Sequence, residues 1–208
     1  MRHLTATIAL LVAAGAWAQP LRQVGRGPGG TVSLGVRSSF SFFSSGTQGV
    51  PGTGAGGQMR VRISDRVNTD WFYDYFTGSA GRLAHRQDQH IGWSVMFYPL
   101  KPVPERRLLQ PYVVAGHCFD HTFQQAIDDA SNYAERWSSA VQAGLGTHIN
   151  VTDRADFSLV CQYMIHLGTD VHAEEHDGAV EFHEEPGADL EGHLLLHLSF
   201  NYKIADLW

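Results

Sequence analysis

Apolar and polar residues alternate along most of the chain after residue 30. Val32, Leu34, Val36, Phe40 and Phe42 alternate with Ser33, Gly35, Arg37, Ser39 and Ser41. Met59, Val61 and Ile63 flank Arg60 and Arg62, and Trp71, Tyr73 and Tyr75 interleave with Phe72, Asp74 and Phe76. The same period of two recurs from Ile91 to Tyr98, Trp137 to Ile149, Phe157 to Leu167 and His193 to Ile204. Gln110 to Phe119 is rich in β-forming residues, with its facing undetermined. Period two is the signature of a strand with two different faces. The pattern predicts eight strands of roughly ten residues, the length a tilted membrane strand requires. No segment carries a sustained 3.6-residue period; Thr122 to Asn132 alone reads as a short helix within a loop.

The connections alternate in length. Asp65 to Thr69 and Val151 to Ala155 are tight and rich in Asp, Asn and Thr, which suit turns. Leu100 to Leu108 is longer and holds Pro102 and Pro104. Between these lie Ser44 to Gly56, Gly78 to Asp88, His121 to Tyr133 and Thr169 to Asp189. Long and short connections in strict alternation predict an all-β, antiparallel up-and-down barrel with one short-turn rim and one long-loop rim. The Gly-rich run Gly46 to Gly57 reads as a mobile loop, because no Lys-Ser/Thr and no helix follow it as a phosphate cradle would need.

Alternation does not say which face is wet. A secreted ligand-binding barrel has the same period with its apolar face inward. Composition favours the opposite. The polar faces carry Ser, Gly, Gln and Ala with scattered Arg, Asp and His, and the only lysines of the chain are Lys101 and Lys203. A solvated exterior favours Lys and Glu, whereas a crowded lumen favours small residues and charges that pair. Arg37, Arg60, Arg62 and Asp74 are the expected members of such an interior network, since unpaired buried charges are costly. The apolar faces place Trp71, Tyr73, Tyr75, Trp93, Trp137 and Tyr202 near strand ends, where rings with a polar tip suit membrane interfaces.

The 208 residues allow one domain. A net charge of −6 excludes a basic nucleic-acid footprint. Arg2 and His3, the apolar run Leu4 to Ala14 and the small-x-small stretch Ala16 to Ala18 form a secretory signal peptide over residues 1–18. Residues 19–30 read as a flexible lead-in, and 31–208 as the barrel. Cys118 and Cys161 fall on the fifth and seventh strands, too far apart for a disulfide, so two free thiols are expected.

Two motifs carry a family resemblance. The stretch Gly144 to Leu159 reads Gly-Leu-Gly-Thr-His-Ile-Asn-Val-Thr-Asp-Arg-Ala-Asp-Phe-Ser-Leu: a Gly-x-Gly strand, a short Thr-Asp turn, then a strand. Pro111 to Gly116, Pro-Tyr-Val-Val-Ala-Gly, resembles the fifth-strand motif of the same group. The group is the small eight-stranded outer-membrane barrels: the OmpA membrane domain, OmpX, OmpW and the opacity proteins. The chain departs from it at His117-Cys118, where Leu-Gly is common, and at Asp206, which interrupts the apolar face before Trp208. The resemblance implies a monomeric barrel in a Gram-negative outer membrane. Lipid, lipopolysaccharide and the barrel-assembly machinery would be its partners, with no nucleic acid and no cofactor. No peptidoglycan-binding domain is expected after the eighth strand.

Candidate chemistry is sparse. The segment Asp170 to His193 holds nine acidic residues, four histidines and no Lys or Arg. His172, Glu174 and His176 share one face of an extended strand, and with His183 they form a candidate transition-metal set. His117 or His121 could complete it; a solvated acidic loop holding diffuse counter-ions is the alternative. His197 and Ser199 form a His-x-Ser pattern similar to that of outer-membrane lipid A deacylases, but in that family Asn follows the Ser directly, and here Phe200 intervenes. The expected role is therefore a non-enzymatic, filled barrel in envelope structure or surface contact. A lipid-modifying acyl hydrolase and a soluble periplasmic ligand-binding barrel are the alternatives.

Overall fold

The computed structural model describes residues 29–43, 52–100, 108–168, 170–176, 179–185 and 192–208. The expected signal peptide and most of the lead-in lie outside these residues. Ten strands form in chain order: β1 (Thr31–Phe43), β2 (Gly52–Arg62), β3 (Val67–Ala80), β4 (Ala84–Phe97), β5 (Leu109–Ala126), β6 (Tyr133–Asn150), β7 (Ala155–Leu167), β8 (Asp170–His176), β9 (Ala179–Glu185) and β10 (Gly192–Asp206). Eight of them close into a barrel in the order β1-β10-β7-β6-β5-β4-β3-β2, while β8 and β9 form a separate two-stranded sheet. Every barrel pair is antiparallel. Closure by β1 on β10, from Thr31 opposite Asp206 to Phe43 opposite His193, removes the free edges of the main sheet.

The alternation has the expected sense. Arg60 and Gln162 are 3% and 4% exposed inside the barrel, whereas Trp137 is 67% and Leu198 50% exposed on its outer wall. Leu34, Val36, Phe40, Met59, Trp71, Ile91, Trp93, Val113, Val141, Leu145, Phe157, Leu159 and Phe200 continue that wall around the circumference. β5 takes the facing that the sequence leaves open: Tyr112, Val114, Cys118 and Asp120 point inward, and Val113 and Phe119 outward. Val32 departs from the simple pattern. The register slips between Val32 and Ser33, and Val32 is buried rather than outward. A bulge of this kind offsets the two faces by one residue.

Several expected loops are paired strand instead. β3 and β4 run on until only residues 81–83 separate them, and β5 and β6 extend to 18 residues each. Eighteen strand residues at a tilt of roughly 40° rise about 45 Å, well beyond an apolar band of about 25 Å. The segment expected as a helix, Thr122 to Asn132, is the end of β5 followed by a turn. In that turn Asp129 accepts hydrogen bonds from the Ser131 hydroxyl at 2.6 Å and amide at 2.9 Å, which hold its carboxyl below the usual carboxylate range. Gly52 to Gly57, read as part of a mobile loop, belongs to β2. The tight turns hold as expected: Ile63 N–H donates to Val67 C=O at 2.9 Å, and Thr152 Oγ1 accepts from the Ala155 amide at 2.9 Å. Gly30 is tied to the same rim, since its N–H donates to Arg62 C=O and its C=O accepts from Leu207.

Glycines admit large side chains into the narrow interior. Tyr112 lies over Gly146, its cross-strand partner, and a Cβ on Gly146 would stand 2.5 Å from the ring. At the other rim, Gly168 has φ +149°, a conformation that side chains disfavour, and it turns the chain from β7 toward β8.

Candidate functional site: the lumen and its capping hairpin

The lumen is built from the inward residues of all eight staves. Near the short-turn rim, Tyr98 Oη lies 2.8 Å from His148 Nε2 and accepts from Asn68 Nδ2 at 3.1 Å. Tyr112 packs on His148 in a tilted arrangement with ring centres 4.5 Å apart. Next comes Arg60, paired with Asp70 at 3.5 Å and Asp156 at 3.2 Å, and donating to Ser158 Oγ at 3.1 Å. Asn201 donates to Asp156 from β10 at 3.0 Å. Arg37 pairs with Asp74 at 3.0 Å and Asp70 at 3.7 Å, and its guanidinium lies over the Phe72 ring. Arg37 also donates to His197 Nδ1 at 2.9 Å. From His197 a chain of amides, Gln162 then Gln142, leads to Ser94 with steps of 3.0, 2.9 and 3.0 Å.

Of the residues expected in this network, the structure brings Arg37, Arg60 and Asp74 into the lumen, with Asp70 linking the two arginines. Arg62 stands apart. Its parity matches Arg60, but β2 ends there, and the side chain bonds the carbonyls of Ser64 and Asp65 on the rim while lying over the Tyr98 ring. The lumen also holds apolar filling that the alternation does not reveal. Phe72, Phe76, Cys118, Ala140, Met164 and Leu195 form one buried cluster, and Met96, Tyr98, Tyr112, Val114 and Val160 another. These sit on the nominally polar faces, so period alone hides them.

A second ionic group lies toward the long-hairpin rim. Asp120 is approached by His166 Nδ1 at 2.9 Å, His90 Nε2 at 3.2 Å and Arg136 Nη2 at 3.8 Å. Beside it Asp88 pairs with Arg86 at 3.0 Å and accepts from Thr122 at 2.8 Å. The β8–β9 hairpin covers this end. Gln124, buried inside, donates to Val171 C=O at 2.6 Å, and Asn132 donates to Val180 C=O at 2.6 Å. Val171 and Ala173 are buried beneath the hairpin, while Glu174, His176, Glu181 and His183 face solvent.

The His-x-Ser pattern of β10 does not form a bonded pair. His197 bonds Ser39 at 2.7 Å, not Ser199, whose hydroxyl lies by Gln58 and Arg60. A different pair is formed: His148 Nδ1 stands 2.6 Å from Ser158 Oγ. Ser158 is fully buried and also near Asp156 and Arg60, so both atoms are engaged in packing. Among the expected metal residues, register places His172 opposite His183, while Glu174 faces Glu181 and His176 faces Ala179. His183 Nε2 is 3.4 Å from Glu181. His117 and His121 do not join them: they line β5 beside Phe119 and Trp137, and His121 stacks on Trp137 with centres 4.4 Å apart. Cys118 is buried and Cys161 exposed, both as free thiols.

No protein-family model matches the sequence, and no curated protein matches it. Solved structures do. Neisserial surface protein A superposes with a TM-score of 0.62 at 13% identity, over 83% of this chain and 96% of that one. A major outer membrane protein from Thermus thermophilus gives 0.55 at 11% identity, over 83% and 98%. This is the fold of the small eight-stranded transmembrane barrels. The barrel is similar also to OprG from Pseudomonas aeruginosa, with a TM-score of 0.52 at 14% identity over 86% and 98% of the two chains. Identities this low carry the architecture and leave function to the chain's own residues.

Proposed function

We propose that the protein is an integral barrel of a Gram-negative outer membrane, with a non-enzymatic role in envelope structure or surface contact. One observation carries the reading: a closed sheet presents a ring of exposed Leu, Val, Ile, Phe and Trp outward and holds Arg, Asp and His inside. Water would favour the reverse, so a soluble ligand-binding barrel is disfavoured, and lipid is the solvent that fits this wall. Lipid and lipopolysaccharide are then its immediate partners, with the assembly machinery acting during insertion and a monomer as the final state. Membrane fractionation followed by gels with and without boiling tests this. Sarkosyl-resistant retention and a heat-dependent shift are expected; extraction by carbonate defeats the reading. Sequencing the membrane-borne form from its N-terminus should begin near Gln19.

Both apolar clusters and the ion pairs lie in the interior, which supports a barrel without an open pore. Planar-bilayer recordings should stay at background, and stepwise porin-like conductance would contradict this. Neither Ser158 nor Ser199 offers the acyl-hydrolase alternative an accessible nucleophile. Ser158 has the histidine contact but no exposed surface, and Ser199 lacks the contact. Ser199→Ala and Ser158→Ala variants should leave lipid A acylation in host cells the same as wild type; deacylation by wild type lost in either variant would revive the enzyme.

A further inference from the structure

Toward the long-hairpin rim the outer wall of β3–β6 changes character. Register sets Tyr75 opposite Gln89, Gln89 opposite His121 and His121 opposite Trp137. All four face outward, since their neighbours Asp74, His90, Asp120 and Arg136 are buried. One rung nearer the short-turn rim, Ile91 opposes Phe119, and both are more than half exposed, as lipid-facing residues are. The next rung out holds Thr77, Gln87, Phe123 and Glu135, and the one after it Ser79, His85, Gln125 and Tyr133. The β7 pairing of β6 ends at Ser139, so Trp137 and Tyr133 stand beyond it.

These side chains hold one another in place. Tyr73 and Tyr75 donate from Oη to the Oε1 atoms of Gln89 and Gln87 at 3.1 and 2.9 Å. His121 stacks on Trp137, with its Nε2 3.6 Å from Glu135. Phe123 packs on Tyr133 with ring centres 5.7 Å apart. Each glutamine keeps two amide N–H donors, which form no hydrogen bond with the described residues. The three rungs carry one carboxylate, Glu135, and no Lys or Arg.

That chemistry selects an occupant. Acyl chains offer nothing to amide donors, and phosphates call for cations. Sugars offer apolar C–H faces to aromatic rings and hydroxyls to amides. Neighbouring strands lie about 4.8 Å apart, close to the length of one pyranose unit, so the row from Tyr75 to Trp137 spans about 14 Å. In an outer leaflet of lipopolysaccharide the sugar layer lies directly above the acyl chains, as these rungs lie directly above Ile91 and Phe119. We propose that this wall of β3–β6 binds the core oligosaccharide of lipopolysaccharide, by stacking on Tyr75, Trp137 and Tyr133 and by hydrogen bonds from Gln87 and Gln89. The inference rests on the outer-membrane reading and deepens it, giving one side of the barrel a sugar-binding face.

The test is native mass spectrometry of the full chain in detergent, titrated with complete-core lipopolysaccharide, deep-rough lipopolysaccharide and lipid A. Complete-core lipopolysaccharide should bind about tenfold more tightly than lipid A, with the deep-rough form between them. Trp137→Ala, and Gln87→Ala combined with Gln89→Ala, should each bring complete-core binding down to the lipid A value and leave lipid A binding unchanged. Leu198→Ala, in the apolar wall of β10, should keep the preference for the core. Every substituted position faces outward, so each variant should retain its heat-dependent gel shift. Equal binding of lipid A and complete-core lipopolysaccharide by the wild type overturns the proposal. So does a core preference that survives both variants, or a dimer mass in place of lipopolysaccharide adducts. A chain that keeps membrane retention and the gel shift but shows no core preference loses only the sugar site. Loss of retention and shift in the wild type defeats the outer-membrane reading and this proposal with it.

Discussion

Arg60 and Glu181 each face an acidic residue across an antiparallel pair, and the contrast separates the barrel from its cap. On the barrel wall Arg60 opposes Asp70 and pairs with it. In the hairpin Glu181 opposes Glu174, like against like. Inside the narrow lumen a misplaced charge would have no water to retreat to, so register brings opposite charges together. On an exposed hairpin water screens the repulsion, and the arrangement persists at small cost. The same chain thus uses register to neutralise charge in one place and to concentrate it in another.

The sharpest way to break that comparison is Arg60→Leu, which takes the arginine from Asp156 and leaves Asp70 with Arg37 at 3.7 Å as its one remaining guanidinium partner. Denaturant unfolding in lipid vesicles should show a loss of about 3–5 kcal/mol. Leu198→Arg attacks the outer wall instead and should cost about 2–4 kcal/mol in the same assay. Gly146→Ala pushes a methyl into the Tyr112 ring and should cost about 1–3 kcal/mol. Glu181→Lys is the smallest and has the opposite sign. It turns a repulsive rung into an attractive one and should add about 0.2–1 kcal/mol to hairpin protection in amide exchange. A Glu181→Lys variant with weaker protection would show that Glu174 and Glu181 do not repel in the folded chain.

Much of the barrel was legible because lipid and lumen impose opposite demands on successive residues. Ile91, Trp93, Val95 and Phe97 against Ser94 and Met96 could only be a strand. The limits were not legible. Above the apolar band the outward residues turn polar, as with Gln87 and Gln89 on β4, which accept from Tyr75 and Tyr73 at 2.9 and 3.1 Å. Alternation fades there although the backbone remains paired, so Gly78 to Asp88 and His121 to Tyr133 looked like loops. Arg62 shows a different limit: parity gives a face but not a height, and at the strand end that face opens onto the rim. The Asp120, His90 and His166 group was invisible because its members come from three strands and are joined only by closure of the sheet. The β8–β9 cap was missed because its segment is dominated by charge rather than by a clean two-residue hydrophobic period.

Cys118 and Cys161 sit on opposite sides of the same wall. A small lipid-soluble maleimide should therefore tag a folded molecule once, at Cys161, and an unfolded one twice. Counting tags by mass would report how many copies have inserted, one molecule at a time, without adding any reporter to the chain.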